Sequence, residues 1–289
     1  MSSAVRIGIT TGDPKGIGPE IIAAALADPE IQSLGEFQIF GSLNSNPSLS
    51  DGEAAQIALK GLEGGIEAAL QKKISCLVTG PLNKARMRLA VPDFIGHTEF
   101  LANKCGREVT ALFVARNWRV ALVTRHLPLA EVAAKLNGVE VLKTIRMTVE
   151  GLQNYFGILE PRIAVSGLNP RAGEKGILGT EERKIIQPAI EQARKEGMKV
   201  EGPFSPDTLF WQMTLGKWDA IVAMYHDQGL IPIKTLAFRE CVQLTLGLPF
   251  LRLSVDHGTA EELVGTGRAD PANMKAALRL AVALGCGLK

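Results

Sequence analysis

The chain has 289 residues and a formal net charge of +2 at pH 7, with 46% hydrophobic and 21% charged residues. This is the composition of a globular protein with enough apolar material for a sizeable core, and the small net charge does not indicate a polyanionic partner. Because the sequence has no basic run, no basic stretch interleaved with aromatic residues and no zinc-finger spacing, it argues against nucleic-acid binding.

The cysteines and the hydropathy pattern bear on the cellular location. Cys76, Cys105, Cys241 and Cys286 are far apart and form no Cys-x-x-Cys pair, which is typical of reduced, structural thiols. The first residues enter a strand-like run with no signal-peptide pattern, and no apolar run is long enough to cross a bilayer. We therefore expect a cytoplasmic protein.

Short apolar runs alternate with helical patterns along the whole chain. In chain order, the patterns predict a strand at 5–10, a helix at 19–27, a strand at 37–41, a polar loop at 42–51, a helix at 53–73, strands at 74–79, 109–115 and 118–124, helices at 129–136 and 140–156, a strand at 161–166, a helix from 180 to near 197, strands at 219–224 and 251–255, and helices near 259 and at 271–284. This alternation predicts an α/β fold with a largely parallel, covered sheet.

All four histidines lie in short, polar, glycine-flanked motifs, several of them directly after a predicted strand. They are His97, His126, His226 and His257. Open α/β sheets bind ligands at the carboxyl ends of their strands, and histidine can bind a metal, move a proton or hydrogen-bond a phosphate. The pattern favours a functional site over four unrelated capping histidines.

Two glycine-rich segments stand near the ends of the chain. Residues 11–20 follow the first strand and open the first helix, but they match neither a P-loop nor a Gly-x-Gly-x-x-Gly fingerprint. Residues 256–271 follow the last strand, and their amides can meet a phosphate or ribose at a helix start. Taken singly, the first segment is equally well explained as a strand–helix connector, and the second is better explained as a structural turn.

Taken together, the two segments resemble the isopropylmalate and isocitrate dehydrogenase superfamily, whose members oxidise and decarboxylate β-hydroxy acids and bind NAD without a Rossmann fingerprint. Further motifs occur in the order seen in the 4-hydroxythreonine-4-phosphate dehydrogenase family of pyridoxal phosphate synthesis: Thr79-Gly80-Pro81-Leu82-Asn83-Lys84, Gly96-His97-Thr98-Glu99-Phe100, His126-Leu127-Pro128-Leu129, Gly167-Leu168-Asn169-Pro170, Ala172-Gly173-Glu174, Asp207-Thr208-Leu209-Phe210, Met224-Tyr225-His226-Asp227-Gln228-Gly229 and Thr245-Leu246-Gly247-Leu248-Pro249-Phe250. The resemblance spans nearly the whole chain. It implies two α/β/α lobes flanking a cleft, which we expect at 1–125 with 255–289 and at 126–254.

The resemblance also implies a divalent metal (zinc, magnesium or cobalt) held by three histidines near a dimer interface. Two of these positions match His126 and His226, and the third is Arg171, which has no acceptor lone pair. Either the two histidines hold the metal with water or a carboxylate, or Arg171 supplies the positive charge and grips a substrate carboxylate. Hydrogen bonding at strand ends is the alternative for the two histidines.

The substrate contacts of the family correspond to His97, Thr98, Lys234 and Arg252, and to Gln243 where the family usually has Asn. Lys234 and Arg252 would supply positive charge for a phosphate. The alternative, which the residues alone would favour if they did not lie beside the family's motifs, is that both are ordinary surface charges. Candidate catalytic residues are Asp207, Asp227 and Lys234, and turn or cap hydrogen bonding is the alternative for the two aspartates.

A nicotinamide cofactor, NAD or NADP, is expected along residues 257–273. The implied contacts come from both glycine-rich segments and are Asp13, Gly16, His257, Gly258, Thr259, Ala260, Asp270 and Asn273.

The resemblance implies NAD(P)-dependent oxidation and decarboxylation of a small phosphorylated hydroxy acid, most directly 4-phosphooxy-threonine, by a homodimer. Arg171, Gln243 and a segment at 41–53 much shorter than its counterpart in the family leave other substrates open. These are threonate or erythronate 4-phosphate and an aromatic cis-dihydrodiol carboxylate. A catalytically silent binding protein of the same fold is a further alternative, since Arg171 removes a metal ligand.

Overall fold

A computed structural model of the chain describes residues 5–285, so Cys286 lies outside the described residues. The strands are β1 (Arg6–Thr10), β2 (Glu36–Phe40), β3 (Cys76–Thr79), β4 (Thr110–Ala115), β5 (Trp118–Leu122), β6 (Ile163–Ser166), β7 (Val200–Phe204), β8 (Ala220–Ala223), β9 (Val242–Leu246) and β10 (Leu251–Val255). The α-helices are α1 (Gly18–Leu26), α2 (Pro29–Gln32), α3 (Asp51–Leu70), α4 (Lys84–Met87), α5 (His97–Cys105), α6 (Leu129–Lys135), α7 (Gly138–Phe156), α8 (Gln187–Lys195), α9 (Pro206–Thr214), α10 (His226–Ala237) and α11 (Ala272–Gly285). The α/β class is confirmed.

The first structural unit combines Met1–Val109 with Val242–Lys289. Its strands follow the order β2-β1-β3-β10-β9, and all neighbours are parallel except β9, which is antiparallel to β10. Every residue of β3 and β10 is buried, as expected for central strands covered on both faces. Helices α3 and α11 pack on this sheet.

Helix α3 is continuous despite three glycines in its second half. It begins at a capping box, in which Ser50 Oγ accepts from the Glu53 amide and the Glu53 carboxylate accepts from the Ser50 amide. A Cβ at Gly61 would lie 2.9 Å from the Phe40 carbonyl oxygen, and one at Gly65 would lie 2.8 Å from Leu77 Cδ1. Glycine therefore lets α3 lie directly on β2 and β3.

The second unit is the continuous stretch Thr110–Cys241. Its strand order is β4-β5-β8-β6-β7, with β4 antiparallel to β5 and the other neighbours parallel. Helices α9 and α10 contribute Leu209 and Ile233 to a core that they share with Val120 and Ile221 of the sheet. This unit carries His126, Arg171, Asp207, His226 and Lys234.

The boundaries between the units differ from the predicted ones at 125/126 and 254/255. The hairpin of β4 and β5 pairs with β8 and so belongs to the second unit. Strand β9 pairs with β10, which pairs with β3, and both belong to the first unit. The chain crosses between units at 109/110 and 241/242.

The cysteines fit a structural role. Cys76 and Cys241 are buried, Cys105 is half-buried, and all three are free thiols. Burial raises the pKa of the Cys76 thiol far above its usual range, so this group does not form a reactive thiolate. Among residues 5–285, no helix combines the length and the apolar character needed to cross a bilayer.

Candidate functional site

Arg252, in the middle of β10, is fully buried. Its Nη1 donates to Thr245 Oγ1 at 2.9 Å and its Nη2 to Thr79 Oγ1 at 2.5 Å, whereas Nε has no hydrogen-bond partner among residues 5–285. Burial lowers the pKa of the guanidinium to about 9, and nearby Glu99 opposes this shift, so Arg252 is charged at pH 7. A buried cation bonded only to hydroxyl groups is costly, and an anion would stabilise it.

Three other residues that are predicted to contact substrate lie in the same unit as Arg252, and two of these three contact each other. They are His97, Thr98 and Gln243. Gln243 Nε2 on β9 donates to Thr98 Oγ1 at 3.2 Å, and Thr98 follows His97 in the first turn of α5. The first amides of a helix have no intrahelical acceptor and favour anions. Arg252, Gln243 and the start of α5 therefore form a positively polarised, hydrogen-bonding patch.

His97 is neutral at physiological pH. Burial, together with the positive charges of Arg252 and Lys84, lowers the pKa of its imidazole well below the usual 6.5. Its Nε2 is buried and has no hydrogen-bond partner in the part of the chain that the structure describes. A neutral ring can donate or accept a hydrogen bond, which suits recognition of a substrate hydroxyl or phosphate.

The His97 shift predicts a pH dependence of stability. Below 6.5 the unfolded chain takes up a proton that the folded chain does not, so the free energy of unfolding falls as the pH is lowered from 7 towards 5. His97→Gln, which does not titrate, should flatten this fall by up to about 1.4 kcal/mol per pH unit. Urea unfolding of both proteins at a series of pH values measures the difference. Parallel curves would show that His97 titrates normally.

The two glycine-rich segments lie against each other, as the resemblance implies. The Ile17 amide donates to the Thr259 carbonyl at 2.9 Å. A Cβ at Gly16 would lie 2.8 Å from Thr259 Cβ, so glycine is needed for this contact. Asp13 is 1% exposed and its carboxylate pairs with Arg86. Gly16 and Asp13 thus hold the two segments together and do not face solvent.

The other predicted cofactor residues shape the second segment. His257 Nδ1 lies 2.9 Å from the Gly258 carbonyl oxygen, and no described residue forms a hydrogen bond with its buried Nε2. Ala260 adopts a left-handed conformation with φ 41°. Asn273 Oδ1 accepts from the Asp256 amide at 3.0 Å, and Asp270 Oδ1 accepts from the Ala272 amide at 2.9 Å. Asn273 and Asp270 therefore fix the two ends of the segment.

In the second unit, the structure brings the two predicted metal ligands together. The ring centroids of His126 and His226 are 5.9 Å apart, and His226 Nδ1 lies 2.7 Å from Asp227 Oδ1. A carboxylate that fixes one ring nitrogen leaves the other available, which is the usual arrangement around a ligating histidine. Both rings line a surface pocket of about 350 Å³ with Arg125 and Tyr225.

Arg171 lies in an unusual left-handed turn. Residues 171–175 all have positive φ, and four of the five are not glycine. Glu182, which is 5% exposed, anchors this turn by accepting hydrogen bonds from the amides of Leu168 and Asn169. The Arg171 side chain is 74% exposed and pairs with Glu174. Within residues 5–285, no group of three or more His, Cys, Asp and Glu side chains is arranged to hold a metal ion.

Lys234 and Asp207 occupy ordinary helical positions. Lys234 lies in the last turn of α10, with Nζ 5.8 Å from the Phe238 ring centroid. Asp207 is exposed in the first turn of α9 and accepts a hydrogen bond from Ser205 Oγ at 2.5 Å. The Asp207 contact joins two side chains at the start of α9 and does not cap the helix, and a catalytic role for either residue stays a prediction.

Sequence reasoning missed the residues that support the site. Thr79 and Thr245 enter the sequence analysis only as parts of motifs, yet both accept hydrogen bonds from Arg252. Sequence analysis assigns no role to Arg86, Glu261 or Glu182. Two polar threonines inside otherwise apolar strands were an available signal. No such signal marks Arg86, Glu261 and Glu182, because a charged residue in a polar stretch of sequence has the same local pattern whether its side chain is buried or exposed.

Comparison with known proteins completes this picture. Residues 20–281 match the family described as "Pyridoxal phosphate biosynthetic protein PdxA". The chain belongs to this family. A 4-hydroxythreonine-4-phosphate dehydrogenase of Desulforapulum autotrophicum is 42% identical over 95% of this chain and 94% of its own length. The family predicted from the ordered motifs is thereby confirmed.

Solved structures agree in fold. The 4-hydroxythreonine-4-phosphate dehydrogenase of Klebsiella pneumoniae has a TM-score of 0.86 and 32% identity, over 98% of this chain and 100% of that one. A terephthalate 1,2-cis-dihydrodiol dehydrogenase of Burkholderia xenovorans has a TM-score of 0.69 and 29% identity, over 97% and 98%. An isocitrate dehydrogenase of Methylococcus capsulatus, with a TM-score of 0.52 and 14% identity over 96% and 83%, shares the fold. The predicted superfamily fold is thus confirmed.

Proposed function

We propose that the protein uses NAD or NADP to oxidise a small phosphorylated hydroxy acid, and that the β-keto acid formed loses carbon dioxide. The substrate proposed is 4-phosphooxy-threonine in pyridoxal phosphate biosynthesis. Family membership and the names of the relatives support this reaction. The observation that carries it is the buried, charged Arg252, which has only hydroxyl partners and is best stabilised by an anionic substrate group.

The residues around Arg252 suit recognition of a polar, anionic substrate. Arg252 binds the anionic group, Gln243 and Thr98 donate or accept hydrogen bonds, and His97 offers a neutral imidazole to a hydroxyl. Because these groups are held by strands β9 and β10 and by the start of α5, they lose little conformational freedom when substrate binds.

The residues of the two glycine-rich segments fit a dinucleotide. The buried Nε2 of His257 has no partner within the described residues and would hydrogen-bond an adenine, while the space beside Gly258 is open. A bound nicotinamide would supply the acceptor for a hydride from the hydroxyl-bearing carbon. The hydroxyl proton must pass to a base, for which Asp207, Asp227 and Lys234 are the candidates.

The chain's own residues do not complete a three-histidine metal centre. His126 and His226 supply two imidazoles, and the third position carries the exposed Arg171. We therefore assign no step to a metal. Positive charge for the developing carbonyl is proposed to come from the protein's own cations.

A homodimer is proposed on the same family resemblance. Five large apolar side chains of the second unit are between 52% and 65% exposed: Trp211, Leu215, Ile231, Leu236 and Phe238. Exposed apolar surface of this kind is typical of protein interfaces. Sedimentation velocity gives the mass in solution, and a monomer at micromolar concentration would contradict the proposal.

A substrate panel tests the proposed reaction. Absorbance of reduced nicotinamide is followed with 4-phosphooxy-threonine, threonate 4-phosphate, erythronate 4-phosphate and an aromatic cis-dihydrodiol carboxylate, each with NAD and with NADP. We expect turnover to be fastest with 4-phosphooxy-threonine and to release carbon dioxide. The absence of nicotinamide reduction with every compound, with or without added zinc or magnesium, would favour a silent binding protein.

One alternative substrate class has specific support. The likeness to the cis-dihydrodiol dehydrogenase favours a carboxylate without phosphate, which Arg252 could also bind. Preference for the dihydrodiol in the same panel would replace the phosphorylated substrate while leaving the dehydrogenase chemistry in place.

A further inference from the structure

Arg86, in the short helix α4, joins three separate segments of the first unit. Its side chain is 7% exposed. Nε donates to Asp51 Oδ1 at 3.0 Å, Nη2 donates to Glu261 Oε2 at 2.9 Å, and Nη1 donates to both Glu261 Oε1 and Asp13. Asp13 follows β1, Asp51 opens α3, and Glu261 lies in the segment after β10. One guanidinium therefore ties the glycine-rich segment after β1 and the start of α3 to the segment after β10 through a rigid set of donors.

The Glu261 end of this cluster sets the conformation of the loop after β10. Glu261 Oε1 also accepts from Asn83 Nδ2 at 2.9 Å, and the Arg86 guanidinium lowers the pKa of the Glu261 carboxyl. The preceding Ala260 is left-handed, a conformation that is unfavourable for a non-glycine residue and persists only where other contacts enforce it. Glu261 and the Thr259 carbonyl provide those contacts on either side of Ala260.

We propose that Arg86 is a positioning residue for the nicotinamide cofactor: through Glu261 it holds residues 257–263 in the conformation that accepts the dinucleotide. This inference rests on the proposed function. Arg86 does not itself touch the cofactor or the reacting atoms. If the ion pair between Arg86 and Glu261 is weakened, residues 257–263 spend less time in the accepting conformation. The apparent affinity for the dinucleotide then falls in proportion to the population of that conformation.

The burial of the two carboxylates decides which substitutions are informative. Asp13 is 2% exposed and would be left as an unpaired buried charge by Arg86→Met, which is expected to destabilise the fold strongly. Arg86→Lys keeps the charge beside Asp13 but cannot reach three carboxylates at once. Glu261 is 36% exposed, so Glu261→Gln loses the ion pair with little effect on folding.

Steady-state kinetics of Arg86→Lys and Glu261→Gln test the proposal. Both should raise KM for the dinucleotide about tenfold, in line with a tenfold smaller accepting population, while kcat and KM for the acid substrate stay within about twofold. Glu30→Gln and Arg279→Lys are the matched controls, because Arg279 and Glu30 form a similar two-bonded pair on the surface of the same unit. The controls should leave all three constants unchanged.

Hydrogen exchange gives a readout independent of turnover. In both variants the amides of residues 261–264 should exchange faster than in the wild type, and saturating dinucleotide should restore their protection. If the wild type shows no turnover, the proposed function fails. Dinucleotide titration by protein fluorescence then gives the Kd of the wild type and of each variant, which tests the positioning role without turnover. An unchanged dinucleotide KM or Kd in Glu261→Gln would overturn the positioning role.

Discussion

Arg252→Met is expected to make the protein more stable and to abolish most of its activity. The wild-type guanidinium is fully buried and has only two threonine hydroxyls as partners. Replacing buried charged groups by apolar side chains of similar volume is often neutral or stabilises proteins by about 1–4 kcal/mol. Loss of a buried charge pair with the substrate costs about 2–5 kcal/mol, so kcat/KM should fall by roughly thirtyfold or more.

The opposite signs of the two effects make this prediction informative. Thermal unfolding and substrate kinetics are compared for Arg252→Met, for Arg252→Lys and for Arg6→Met. Arg6 also lies in a strand of the first unit, but it is exposed and pairs with Glu36 on the surface, so its loss should change neither quantity much. A destabilised Arg252→Met variant, or one that turns over normally, would show that Arg252 is a structural residue.

The sequence predicted the central strands and long helices well, because each is a continuous local pattern. Strands β3, β8 and β10 are short apolar runs, and α7 and α11 have a clear helical period. Strands β7 and β9 and helices α9 and α10 were not predicted. Strand β9 alternates Gln243 and Thr245 with apolar residues, and its pairing with β10 is a tertiary contact. Helix α10 contains Pro232 and begins in the Tyr225-His226-Asp227 motif, so local signals favoured a loop.

Only those residues of the candidate site that lie in recognisable motifs could be predicted from the sequence. The motifs identified Arg252, His97, Thr98 and Gln243 as a group, but nothing in the sequence indicates that the Arg252 side chain is fully buried and hydrogen-bonded to two threonine hydroxyls. Asp13 was assigned to the cofactor because it lies in the glycine-rich segment, whereas in the fold it is bound by Arg86 from a helix 73 residues away. Contacts between distant charged residues depend on packing, which no local pattern records.

Arg171→His is expected to give the protein a much tighter metal site. His126 and His226 already lie together, and Asp227 orients the His226 ring. The left-handed backbone at Arg171, with φ 52°, tolerates histidine better than most side chains. Within the described part of the chain, the exposed arginine forms an ion pair with Glu174 on the surface, so the fold should be unaffected. A third imidazole should raise zinc or cobalt affinity by at least about a hundredfold.

Lys175→His provides the matched control for this variant. Lys175 is exposed in the same left-handed turn, with φ 57°, so a histidine there adds an imidazole without occupying the family's ligand position. Competition with a chromophoric chelator measures zinc affinity, and visible absorption of bound cobalt reports the coordination number. If Arg171→His binds no more tightly than Lys175→His, the turn does not bring position 171 to the histidine pair. Added His226→Gln should remove any gain, because the new ligand acts only together with the two imidazoles already in place.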